Sequence, residues 1–177
     1  DFLWTVKKSL ESRGISGDNF FVRANHTRSK QFRVGGEALR SAIASTGARF
    51  IVLDTMAYAS DANTEKNEDL QPKLIEPLVD LAEEFEAMIV LIHHSQKSVE
   101  GVEGVYRLRG GSVLSGAADV IMRMERIKGE PHDSKFRRIV LDKVRGAMSG
   151  EFDVEFDYGR RTFWERGQDP REVIWTP

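Results

Sequence analysis

The sequence predicts an α/β protein whose sheet begins parallel and ends antiparallel. Three observations carry this. Phe50-Ile51-Val52-Leu53 is a continuous apolar run that ends in Asp54, and Met88-Ile89-Val90-Leu91-Ile92 is a second run that ends in His93-His94-Ser95. Such runs mark parallel strands with helices on both faces. A helix-like stretch, roughly Leu70 to Glu86, separates them. Strand, helix and strand then form one right-handed βαβ unit, and both polar tips land on the edge where open α/β folds bind ligands. The C-terminal third instead alternates, as antiparallel strands do. The order predicts one mixed-sheet domain over residues 1–177.

The elements follow in order. Phe2, Leu3, Val6 and Leu10 recur at near-helical spacing over Asp1 to Arg13, with Lys7, Lys8 and Glu11 opposite, and Gly14 stops this amphipathic helix. Phe20-Phe21-Val22 reads as a short strand after the turn at Gly17-Asp18-Asn19. Asn25 to Lys30 is a polar loop. Glu37 to Ser45 is a helix with Leu39, Ala42 and Ile43 inward, ended by Gly47. Ala59 to Asp69 is a polar, acidic loop at the ligand edge. In the crossover helix Pro72 suits the first turn, Pro77 restarts or kinks it, and Leu74, Leu78, Leu81, Ala82 and Phe85 form the buried stripe. Gln96 to Leu108 is a second long loop, followed by the small-residue segment Val113 to Ala118. Asp119 to Glu125 and Phe136 to Lys143 are strands. Phe152 to Phe156 and Thr162 to Trp164 form a hairpin closed at Tyr158-Gly159-Arg160.

Composition bounds the function. Of 177 residues, 40% are hydrophobic and 31% charged, as in ordinary globular domains. A net charge of −2 means that any basic surface for nucleic acid is local. With no cysteine, disulfides and thiolate zinc sites are excluded. No apolar run reaches the ~18 residues of a membrane span, and no secretory leader is read at the start. The expectation is a cytoplasmic protein. The chain opens on Asp1 rather than Met, which reads as a processed product or a fragment.

Taken together, the segments resemble the core of RecA-like ATPases, within them the hexameric-helicase group of plasmid RepA-type helicases, DnaB-type replicative helicases and phage primase-helicases. Phe50 to Thr55 resembles the Walker B strand. Ile89 through His93-His94-Ser95-Gln96-Lys97 resembles the sensor strand. Leu108-Arg109-Gly110-Gly111-Ser112 through Ala118-Asp119-Val120-Ile121 is similar to the Arg-Gly-Ser stretch and its following strand. Leu141-Asp142-Lys143-Val144-Arg145-Gly146 resembles the turn from which such helicases reach into a neighbouring subunit. Order and spacing, more than any one motif, carry the likeness. It implies a partial RecA-like P-loop NTPase fold, with a mostly parallel central sheet, helices on both faces and C-terminal antiparallel strands.

The resemblance also assigns roles. Asp54 would help to hold Mg²⁺ on the phosphates of ATP; the plainer alternative is a strand-ending cap. His93 and His94, being adjacent on a strand, point to opposite faces, so one of them can watch the γ-phosphate. His94 is favoured, and a zinc pair is not indicated. Lys143 and Arg145 would act in trans on a neighbour's nucleotide, or else be solvated cations. Lys97, Arg107 and Arg109 flank a loop that would meet single-stranded nucleic acid, or else be a solvated mobile loop, with Tyr106 its one aromatic residue. Trp4, Trp164 and Trp175 read as packing residues. The implied partners are further copies in a ring and single-stranded nucleic acid, with no membrane.

One departure is decisive. The family requires the phosphate loop G-x-x-x-x-G-K-[ST] upstream of Walker B, and this sequence contains no Gly-Lys dipeptide. The first strand, the phosphate loop and the catalytic-Glu strand are missing by this reading, and a truncated coding sequence explains that more simply than evolved loss. The chain is therefore expected to be part of a helicase-type ATPase domain acting on nucleic acid, inactive in hydrolysis alone. The alternatives are a non-hydrolysing DNA-binding or assembly scaffold and a recombination-mediator-type regulator.

Overall fold

The computed structural model describes residues 20–22, 32–62, 67–94, 111–159 and 162–167. By internal packing the chain divides into two units, one of Arg23–Ala118 and one of Asp119–Pro177 with Asp1–Val22.

The first unit is the βαβ half. Helix α1 (Glu37–Thr46) buries Leu39 and Ile43. It ends at Gly47, whose φ of 65° is left-handed and whose N–H donates to the Ile43 carbonyl at 2.9 Å. Glycine reaches that conformation without strain, which explains the stop. Strand β1 (Phe50–Asp54) lies parallel to β2 (Met88–Ile92), with Phe50 opposite Met88 and Asp54 opposite Ile92. Parallel pairing is what the two apolar runs predict, and the two strands are adjacent rather than separated by the slot of a further strand. Ile51, Leu53, Ile89 and Leu91 pack on the core, while Phe50, Val52, Met88 and Ile92 are exposed on the other face.

The crossover departs from a simple helix. The turn α2 (Met56–Ala59) follows β1 directly and buries Met56 and Ala59, so the acidic loop is shorter than the sequence suggested. Helix α3 (Asn67–Leu70) passes into a π-helical turn, Gln71–Ile75, and then into α4 (Glu76–Glu84). Pro77 lacks the N–H that would bond the Lys73 carbonyl in an α-helix. The Ser60 hydroxyl donates to that carbonyl at 3.0 Å and accepts the Ala62 N–H at 3.0 Å. The wide turn also shifts the buried stripe, so that Leu70 and Ile75 join Leu74 and Leu81 in the core beside the partly buried Leu78 and Phe85. Ser60→Ala should cost about 0.5–1.5 kcal/mol in urea unfolding, because a part-buried hydroxyl–carbonyl hydrogen bond is lost. The stretch from Val113 to Ala118, read as a small-residue segment, lies largely in α5 (Gly111–Ala117), whose Val113, Leu114 and Ala117 pack on this core.

In the second unit, β3 (Val120–Glu125), β4 (Phe136–Val144), β5 (Gly150–Asp157) and β6 (Thr162–Glu165) form an antiparallel meander in sequence order. Met124, Ile139 and Phe152 follow one another across one face. The opposite face carries ion pairs. Arg123 grips Asp142 by two bonds of 2.9 and 3.1 Å and also meets Glu125. Arg138 binds Asp153 at 2.8 Å and Glu151 at 3.1 Å. The Arg138 hydrogen bond, followed by its charge and that of Arg166, outweighs burial and holds Asp153 below the ordinary aspartate value of 3.8. A carboxyl so lowered contributes stability above pH 3.8 and loses it as pH falls through the lower folded value. NMR titration should therefore show Asp153 ionising below 3.8 and returning toward it in Arg138→Gln.

Phe20-Phe21-Val22 is not a strand: the triplet has no ladder among the described residues, and its three side chains are exposed. An apolar triplet needs a partner strand to become one. The predicted N-terminal helix lies outside the described residues.

Candidate functional site

The site is built at the C-terminal edge of the β1–β2 pair. Parallel register puts Asp54 opposite Ile92, so His93 and His94 emerge just beyond it. The alternation of exposure continues past the strand: His93 is half-buried on the core side and His94 is exposed on the side of Asp54 and Ile92. Asp54 and His94 therefore share an edge and a face, and His93 takes the other, as adjacency on a strand requires.

The backbone after Asp54 is firmly held. Met56, 1% exposed, anchors α2 in the core. The Thr55 carbonyl accepts N–H bonds from Tyr58 and Ala59, and the Val34 N–H donates to the Ala59 carbonyl at 2.8 Å. Arg33 pairs with Asp61 beside this loop. The sequence reading missed Ser60, Arg33 and Asp61. The one available signal was Pro77, which leaves a carbonyl in want of a donor without saying which residue supplies it.

Lys143 and Arg145 belong to the other unit. Lys143 is half-buried inside the ladder opposite Ile121, whereas Arg145 lies one residue past the end of β4 and is 62% exposed. Its Nε donates to Asp119 Oδ1 at 2.8 Å, and its backbone N–H donates to the Asp119 carbonyl at 2.8 Å. Lys97, Arg107 and Arg109 lie outside the described residues, as does Tyr106. Trp164 sits in β6 and is half-buried.

An exposed carboxylate at a strand tip is a competent oxygen ligand for Mg²⁺, which usually takes one or two carboxylates together with substrate phosphates. Among the described residues no group of three His, Asp or Glu side chains is placed to hold a metal. Asp54 is thus a single oxygen donor available to a cation at this edge, and the sequence contains no Gly-Lys dipeptide. No helix among the described residues is long and apolar enough to cross a membrane.

Comparison with known proteins bears on this geometry. A family model described as an AAA domain matches residues 13–100, which include β1, its Asp54 and β2. No curated protein sequence matches the chain significantly. Among solved structures, a DnaB-like replicative helicase, described with its interactions with primase, superposes with a TM-score of 0.59 at 17% identity, covering 74% of this chain and 35% of that one. A second, of an ATPase domain, gives 0.59 at 16% identity, covering 74% of this chain and 50% of that one. The chain thus spans between a third and a half of the length of the solved chains it resembles. At these identities the likeness speaks for the fold, and the chain has the fold of a RecA-like, DnaB-type helicase ATPase core.

Proposed function

We propose that this chain is part of a helicase-type ATPase domain that acts on nucleic acid as a ring in the cytoplasm, and that it does not hydrolyse ATP by itself. The observation that carries the reading is the common edge and face of Asp54 and His94 at two adjacent parallel strands within a RecA-like fold. Asp54 would ligate Mg²⁺ on the nucleotide, and His94 would report the γ-phosphate. When bound, Mg²⁺ neutralises phosphate charge; the chain itself contributes a carboxylate held in place by the buried α2 turn. Arg145, from a neighbouring copy, would meet developing charge on the transferred phosphoryl group.

Lys97, Arg107 and Arg109 would contact single-stranded nucleic acid. With so few cations and a net charge of −2, binding should be weak and indifferent to sequence. Neutralising about three phosphates predicts a loss on the order of tenfold in affinity between 50 and 200 mM salt. Fluorescence anisotropy with single-stranded DNA at both salt concentrations tests this, and sequence-specific binding to duplex would sink the assignment. Strand binding together with absent turnover even in a longer chain bearing a phosphate loop would select the scaffold reading instead.

A further inference from the structure

We propose that Asp119 is the resident anion on Arg145, a latch that an incoming phosphate oxygen displaces. The inference rests on the reading of Arg145 as a phosphate-directed cation and adds the residue that controls it. Val120 opposite Val144 is the last pair of the β3–β4 ladder. Asp119 and Arg145 stand one step beyond, joined twice: the Arg145 N–H fixes the two backbones, and Nε meets Oδ1. Gly146, at a left-handed φ of 79°, then turns the chain away. The Arg145 side chain is left 62% exposed beside the end of the ladder.

Among the described residues, three other arginines of the unit are held by more carboxylates than Arg145 is. Arg123, Arg138 and Arg166 each meet two carboxylates, and their side chains are 18, 34 and 44% exposed. Arg145 has one carboxylate partner among the described residues, and the two side chains are 62 and 75% exposed. An ion pair so open to water is weak and exchanges at small cost. A guanidinium also presents several N–H donors in a fixed fork suited to phosphate oxygens. Asp119 thus keeps the group oriented and charge-compensated until a stronger anion arrives. The same carboxylate opposes that anion by like-charge repulsion.

The test uses the purified chain at low ionic strength. The Arg145 Nε–H resonance is identified by its loss in Arg145→Lys, and inorganic pyrophosphate is titrated in. The signal should move on addition. Asp119→Asn, which keeps the acceptor oxygen and removes the charge, should bind pyrophosphate about fivefold more tightly, the effect expected of one nearby charge in water. The difference should shrink at high salt, and Asp119→Glu should restore the original affinity. Equal affinity in the native chain and Asp119→Asn would overturn the latch. So would an Arg145 signal that no variant allows pyrophosphate to move. Neither result touches the role of Arg145 in a ring, which a turnover assay decides separately.

Discussion

Phosphate release from Mg²⁺·ATP by this chain should be indistinguishable from buffer, and Asp54→Ala should leave it so. Phosphoryl transfer is accelerated by positioning and charge stabilisation more than by covalent chemistry of the protein. Most of that comes from a phosphate loop, whose backbone N–H groups and lysine cradle the phosphates. The sequence has no Gly-Lys dipeptide from which to build one. A carboxylate at Asp54 and an imidazole at His94 cannot replace an anion cradle. In a longer chain that carries such a loop, turnover should appear, and Arg145→Ala should lower it by about 10³–10⁵ while nucleotide binding is largely kept, the range for loss of an arginine finger. Robust turnover by the present chain, abolished in Asp54→Ala, would show a working nucleotide site and overturn this account.

Leu74→Ala should destabilise the βαβ unit by about 2–5 kcal/mol, the cost of removing a large side chain from a packed core. Leu74 is 0% exposed, on the π-helical turn, between Leu70 at 0% and Leu81 at 2%. The adjoining Pro72 and Pro77 hold the backbone there, so the cavity has little means to collapse. Urea unfolding followed by circular dichroism gives the value. A loss below about 1 kcal/mol would mean that the turn relaxes around the gap. The loss at Ser60→Ala should be smaller, since a hydroxyl is removed without a cavity.

The sequence by itself determined the β1–β2 unit and the position of its polar tips. A four-residue apolar run reads as a strand, and a short crossover fixes the parallel sense; cover on both faces, which the run also suggested, is not seen among the described residues, where Phe50, Val52, Met88 and Ile92 are exposed. It determined the end of α1 as well, because Gly47 alone in that stretch takes a left-handed φ without penalty. The antiparallel strands were legible from alternation. Only the tertiary structure decided the rest. The register that opposes Asp54 to Ile92, and thereby sets His94 rather than His93 on its side, depends on pairing across 38 residues of sequence. The π-helical turn arises where two prolines meet a core that needs both Leu74 and Ile75, and no periodicity in the sequence announces an extra residue in a turn. Ser60 finds the Lys73 carbonyl across 13 residues. Arg145 finds Asp119 across 26, because antiparallel pairing folds β4 back along β3 and brings the two strand ends together. Spacing along a chain reports which face a residue takes; which distant residue waits there is settled by packing.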